Sequence, residues 1–346
     1  MAQIDKPSLH FNTKLYTGNY TDNTNITGVG FQPDFVWLKE RSSNSSHLLQ
    51  DAVRGANKDL FSDLNSAEES NTNRLKAFIS DGFTVGQHNL SNQNGETYVS
   101  WNWKANGAGS SNSNGSITST VSVNTTAGFS IVKWVGNGSA GATIGHGLGA
   151  TPAVIIEKIT SSTGDWLVYH HKNTSAPETE FLRLSQNNAT QDEQTIWNDQ
   201  APTSSVFYVG TESTVNGNGN NCIAYCFTEK KGYSKFGSYT GNGDTDGNFV
   251  YTGFKPALVI FKVTNDADNW HMHDLERTTN GGNPLNKVLY PNLNNAEGSV
   301  DIDFLSNGFK CRSSNNAFNA SGKPYVYLAF AKNPIVGSND VPAVAE

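Results

Sequence analysis

Hydrophobic residues in this chain recur mostly at every second position, in short runs closed by Gly and Asn. Val99, Trp101 and Trp103 alternate with Ser100 and Asn102. The alternation returns as Ile223, Tyr225 and Phe227 against Ala224 and Cys226, and as Val326, Leu328 and Phe330 against Tyr327 and Ala329. A period of two puts side chains on one face of a strand, so each run predicts a strand with three large apolar groups on a core. Other runs are apolar throughout, as in Phe35-Val36-Trp37-Leu38 and Val259-Ile260-Phe261. These predict strands buried on both faces and central to their sheets. A Pro precedes each, where its missing N–H does no harm. Helical periodicity is almost absent, and the best helical segment, 71–79, is about one turn.

The apolar runs belong to a larger repeat. Gly, Pro, a dense apolar strand and a closing Lys occur at Pro33 to Lys39, Pro152 to Lys158 and Pro256 to Lys262. An aromatic residue and a Gly-Asn turn precede each: Tyr16-Thr17-Gly18-Asn19, Trp134-Val135-Gly136-Asn137 and Tyr239-Thr240-Gly241-Asn242. A strand starting at His47, Trp166 or Trp270 follows. A period of about 100 residues is too long for a solenoid and suits small units with their own cores. The chain therefore reads as all-β, with three tandem antiparallel, jelly-roll-like β-sandwiches at 14–104, 116–230 and 231–333. An N-terminal arm (1–13), a flexible Gly/Ser/Asn linker (105–115) and a C-terminal arm (334–346) complete it. Ile117, Ser119, Val121 and Val123 add a strand at the start of copy two. Trp37, Ile155 and Ile260 are expected in related positions of three separate cores.

Composition supports a turn-rich β protein: charged residues are 16% of the 346, and Asn, Ser, Thr and Gly supply the polarity. The net charge of −7 and the scattered Lys and Arg argue against nucleic acid as a partner. No apolar run is long enough for a membrane span, and residues 1–13 lack the apolar core of a signal peptide. Folding in a reducing cytoplasm is expected. Cys222 and Cys226, four residues apart on one strand, would be roughly 13 Å apart, beyond the roughly 7 Å that a disulfide spans. They and Cys311 read as core thiols.

Candidate chemistry is sparse. Asn242, Asp244 and Asp246 copy the first half of an EF-hand calcium loop, but Gly253 stands where the closing Glu belongs. His271 and His273 share one strand face. His170 and His171 point to opposite faces. Trp197, Asn198 and Asp199 form the most plausible exposed aromatic-amide set for stacking and hydrogen-bonding a glycan. No nucleophile elbow, phosphate loop or zinc-protease motif is present. The expectation is a non-enzymatic protein without a cofactor.

Copy one, from Gly28 to Lys104, and above all copy three resemble a repeated module of virion proteins from marine bacteriophages, including cyanophages. The resemblance rests on Gly232-Tyr233-Ser234-Lys235-Phe236-Gly237-Ser238-Tyr239-Thr240-Gly241-Asn242-Gly243, on Phe249-Val250-Tyr251-Thr252-Gly253-Phe254-Lys255-Pro256, on Leu289-Tyr290-Pro291-Asn292-Leu293 and on Asp303-Phe304-Leu305-Ser306-Asn307-Gly308-Phe309. It covers roughly residues 14 to 334. In copy one the usual aromatic-Cys-aromatic closing strand is Trp101-Asn102-Trp103. The resemblance implies a structural protein of the virion, a tail fibre or capsid decoration, and carries over no catalytic residue. It implies synthesis in the bacterial host and other virion proteins as partners. Self-assembly is expected from the low-charge sheet edges and from the two arms, each able to add a strand to an adjacent subunit or to anchor to another virion protein, and a trimer follows by analogy with fibres. The alternative is a module that binds a host-surface glycan or receptor.

Overall fold

The computed structural model describes residues 3–278 and 282–336. It is nearly all β, built from antiparallel sheets. The core strand order is the same in each copy. In copy one, Phe11–Thr17, Thr97–Trp103, Phe35–Glu40 and Leu48–Asp51 lie side by side. In copy two the equivalents are Phe129–Val135, Asn221–Phe227, Val154–Ile159 and Leu167–His170. In copy three they are Ser234–Thr240, Pro324–Pro334, Phe254–Val263 and His271–Asp274. Copy two extends its sheet with Ser119–Asn124, the extra strand expected there, and with Ser110–Asn112 beyond it. Each copy has a second, outer sheet: Thr24–Thr27, Gly82–Val85 and Leu75–Ile79 in copy one; Ala142–Gly145 with Val206–Val209 in copy two; Phe249–Tyr251, Gly308–Cys311, Gly298–Leu305 and Leu285–Val288 in copy three.

The strand after each Pro is buried on both faces for two different reasons. Val36 and Leu38, Ile155 and Ile159, and Val259, Phe261 and Val263 pack into the core of their own copy. Phe35 and Trp37, Val154 and Ile156, and Leu258 and Ile260 pack into one cluster common to all three copies. The alternating faces of the closing strands join it: Val99, Trp101 and Trp103; Ile223, Tyr225 and Phe227; Val326, Leu328 and Phe330. Rings from different copies touch there. Phe35 stacks on Tyr225 at 4.1 Å, Trp103 meets Phe330 edge-on at 5.4 Å, and Phe227 meets Phe330 at 5.6 Å.

This corrects the expectation of three separate cores. The residues four after each Pro are Trp37, Ile156 and Ile260, and all three meet in the shared cluster. Ile155 faces copy two's own core. Each inner sheet thus has an apolar face that its own outer sheet cannot cover, and the other copies cover it.

The copies close into a ring by equivalent backbone bonds. Copy one to copy two: Gly164 N donates to Asn65 O at 2.8 Å, and Glu68 N to Thr160 O at 2.9 Å. Copy three to copy one: Ser45 N donates to Asn294 O at 2.7 Å, and Glu297 N to Arg41 O at 2.9 Å. Copy two to copy three: Thr190 N donates to Thr264 O at 2.7 Å. The relation is a pseudo-threefold, each copy holding the next.

Three further expectations are corrected. Segment 71–79 is not a helix: its second half is the strand Leu75–Ile79, paired with Gly82–Val85, so sheet pairing overrides helix propensity. The expected flexible linker holds the strand Ser110–Asn112 and is pinned where Asp34 accepts from Ala105 N at 2.7 Å and Gly107 N at 3.1 Å. The N-terminal arm is docked on its own ring: Ile4 is buried in the shared cluster and its N donates to Lys231 O at 3.0 Å. Pro334 ends the last strand, and residues 337–346 of the expected C-terminal arm lie outside the described residues.

Candidate functional site

Several of the buried polar groups lie at the seams between copies. The indole N–H of Trp166 donates to Phe61 O in copy one at 2.8 Å, and that of Trp270 to Arg183 O in copy two at 2.8 Å. At the same position copy one has His47, whose Nδ1 accepts from its own Trp37 at 2.9 Å. In copy one, Arg54 pairs with Asp51 at 2.5 Å and Glu68 at 3.2 Å, and the Tyr225 hydroxyl from copy two donates to Asp51 at 2.8 Å. Copy three repeats this with Arg277, Asp274 and Glu297, and Trp101 from copy one donates to Asp274 at 3.1 Å. Copy two replaces the ionic set with a neutral one. Asn173 stands in the place of the arginines and accepts from the Thr190 hydroxyl at 2.8 Å. His170 Nε2 bonds Tyr327 O of copy three at 3.2 Å.

The Lys that closes each repeat motif is buried and bonded to the backbone. Lys158 Nζ donates to Ile159 O at 2.7 Å, Lys262 Nζ to Val263 O at 2.7 Å, and Lys39 Nζ to Glu40 O. Burial lowers all three pKa values to about 8. They tie off the central strands rather than face a cleft. Glu157 occupies the slot of Leu38 and Phe261, fully buried in copy two's own core, and burial pushes its carboxyl well above the usual range.

A pocket of ≈ 380 Å³ opens between copies one and two, lined in part by Asn65, Asp165, Arg183, Asp192, Glu193 and Glu212. Three of its four acids are committed. Asp165 pairs with Arg183 and accepts from Gln186 at 2.7 Å; Glu193 caps the helix Gln194–Trp197; Glu212 accepts from Ser213 at 2.9 Å.

The residues singled out from sequence fall as follows. Asn242 Oδ1 accepts from Asp244 N at 3.0 Å, and Asp244 Oδ1 from Asp246 N at 2.9 Å, the geometry of successive Asx turns. Asp246 is paired with Lys310 at 2.7 Å and Arg312 at 2.6 Å, and Lys310 holds its carboxyl below the usual range. Among the described residues, no three His, Cys, Asp or Glu are grouped to hold a metal. His271 and His273 do share a face, but that face is interior: both stack on Phe261 and are kept neutral by burial. Trp197 is 3% exposed and meets Tyr169 edge-on at 6.3 Å, so its ring offers no face to a sugar. Asn198 and Asp199 follow it in left-handed backbone. The three cysteines are free and buried.

One surface escaped the sequence reading. Phe249 and Tyr251, on the edge strand of copy three's outer sheet, are 45% and 61% exposed. Their own-copy core contact is Val250 between them. The signal was available by aligning the copies through strand pairing, since the equivalent positions are Asn25 and Thr27 in copy one and Thr143 and Gly145 in copy two.

Fold and seams together define an internally repeated, ring-closed all-β protein. The chain belongs to the family described as "Domain of unknown function (DUF7483)", matched over residues 6–334. That match spans all three copies and ends where the ring ends. No curated protein and no solved structure matches the chain. No helix among the described residues is long and apolar enough to cross a membrane.

Proposed function

We propose that this chain is a non-enzymatic structural protein of a bacteriophage particle, displayed on the tail or capsid exterior. It would be made in the host cytoplasm and assembled with other virion proteins. Each copy serves as a jelly-roll-like sandwich, and the ring is the unit that assembles. The observation that carries this reading is the shared core. The larger buried ionic sets, Asp51–Arg54–Glu68 and Asp274–Arg277–Glu297, each take a hydrogen bond from a neighbouring copy, Asp51 from Tyr225 and Asp274 from Trp101, and Arg41 of copy one pairs with Glu297 of copy three. The resemblance to marine-phage virion modules supplies the location. A threefold arrangement, expected of three chains by analogy with fibres, exists here within one, which suits a subunit placed on a threefold axis. Mass spectrometry and immunogold labelling of purified particles test the proposal. The protein is expected in mature particles at a fixed copy number, and its absence from them overturns the reading.

The second reading, a module that binds a host-surface glycan, is favoured by one observation. Copy three exposes two aromatic rings on a sheet edge where the other copies carry polar or small residues.

A further inference from the structure

The strand Phe249–Tyr251 pairs with Gly308–Cys311 as the last strand of its sheet, with Phe249 opposite Lys310 and Tyr251 opposite Gly308. Directly opposed residues share a face. Lys310 is in turn opposite Asp303. The outer face therefore carries two rings, spaced roughly 7 Å along the strand, beside a charged row. The Phe249 ring lies beside Gly308: a Cβ there would be 3.0 Å from the ring and 2.1 Å from Val250 O, the same close backbone approach that Gly82 makes to Ile26 O in copy one. Beside the rings, Asp246 bonds Lys310 and Arg312, and Arg312 reaches Asp303 at 2.5 Å.

Folding does not require these rings. Copy one builds the same pairing, with Ile26 opposite Phe83 as Val250 is opposite Phe309, and puts Asn25 and Thr27 on the outside. There the Thr84 hydroxyl donates to Asn25 at 2.7 Å. Copy two covers the edge, with Ser116 N donating to Thr143 Oγ1 at 2.8 Å and Ile117 N to Thr143 O at 3.1 Å. Exposed aromatics on an open edge are a hazard for association, and copy three alone carries them among the three.

We infer that Phe249 and Tyr251 form a stacking platform for a neutral pyranose oligosaccharide, with the exposed Asp246 and Arg312 of the charged row hydrogen-bonding its hydroxyls and buried Asp303 holding Arg312 in place. The inference rests on the glycan reading above and gives it a site. A sugar ring presents an apolar C–H face and a hydroxyl rim, matching flat aromatics beside bidentate charged groups. The row contains two cations and two carboxylates, which favours a neutral sugar over an acidic one. Two rings on a three-residue strand fall far short of the roughly 800 Å² per partner of a stable protein interface. That argues against a second protein chain as the occupant.

The test uses the full chain with four soluble neutral hexasaccharides, of glucose, mannose, galactose and N-acetylglucosamine, read by saturation-transfer NMR and calorimetry. Wild type is expected to bind at least one. Phe249→Asn with Tyr251→Thr, the residues of copy one, is expected to weaken that binding at least tenfold without moving the melting temperature. If the double variant melts lower, Tyr251→Thr alone decides, with an expected loss of at least threefold. Binding that survives these substitutions overturns the site and leaves the glycan reading standing. A wild type that binds none of the four overturns both. A wild type that self-associates while the variant stays monomeric makes the face a contact between chains and overturns the platform.

Discussion

Glu157 is the residue most at odds with its surroundings. It fills a core slot that copies one and three give to Leu38 and Phe261, and burial raises its pKa above the unfolded value. A carboxyl shifted upward stabilises the fold only below its unfolded pKa, and that contribution is lost as pH rises towards the folded value. Glu157→Gln, which removes the buried charge and keeps the shape, is therefore expected to stabilise the protein at pH 7. The gain should shrink as pH falls towards 4.5, and thermal melts across that range check it. Buried histidines act in the opposite sense. Burial lowers His146 and His271 to about 4 and His170 to about 3. Their neutral forms favour the fold above pH 6.5, and stability falls as pH drops from 6.5 towards 4. In the Glu157→Gln background, where the opposing carboxyl is gone, the melting temperature should begin to decline near pH 6.5; a flat profile down to pH 4.5 would count against their burial. At this scale sequence reading was uneven. The buried Cys residues were legible because two thiols four residues apart on one strand cannot pair, and small unpaired thiols are usually buried. Trp197 was not, because a one-turn helix has no alternation to read, and its neighbours Asn198 and Asp199 look like a solvent-exposed turn.

At the scale of elements, the seams make a graded prediction. Arg54 and Arg277 are buried against carboxylates in copies one and three, whereas Asn173 makes a neutral bond in copy two. Removing one partner of a buried ion pair leaves the other charge uncompensated. Arg54→Ala and Arg277→Ala are each expected to cost about 3–5 kcal/mol. Asn173→Ala, which loses one neutral hydrogen bond, is expected to cost about 0.5–1.5 kcal/mol. Chemical denaturation of the three variants measures the ranking, and equal losses would contradict it. The strands themselves were legible from period-two runs and from the both-faces-apolar segments after each Pro. The seams were not, because the pattern reports that a face is buried and not what covers it. The Lys that closes each motif illustrates the same limit. Its repetition was plain at Lys39, Lys158 and Lys262, but a charged residue closing an apolar run reads as a strand end in water, and not as a side chain buried against the next carbonyl.

At the scale of the molecule, the central claim is that three repeats form one cooperative body. Three repeats suggested three independent cores, since each copy has enough strands for a sandwich. The ring overturns that inference because each inner sheet presents Trp, Phe, Tyr or Ile to a common axis. Trp37 touches Trp101 within its copy and lies in the cluster that also holds Ile156 and Ile260. Truncating a buried aromatic of this size costs about 3–5 kcal/mol. Because the cluster belongs to all three copies, the loss should be felt by all of them. Differential scanning calorimetry of wild type and Trp37→Ala tests this most directly. One transition is expected in each, with the whole transition moved to lower temperature in the variant. Separable transitions, with only copy one's share displaced by Trp37→Ala, would contradict the shared core.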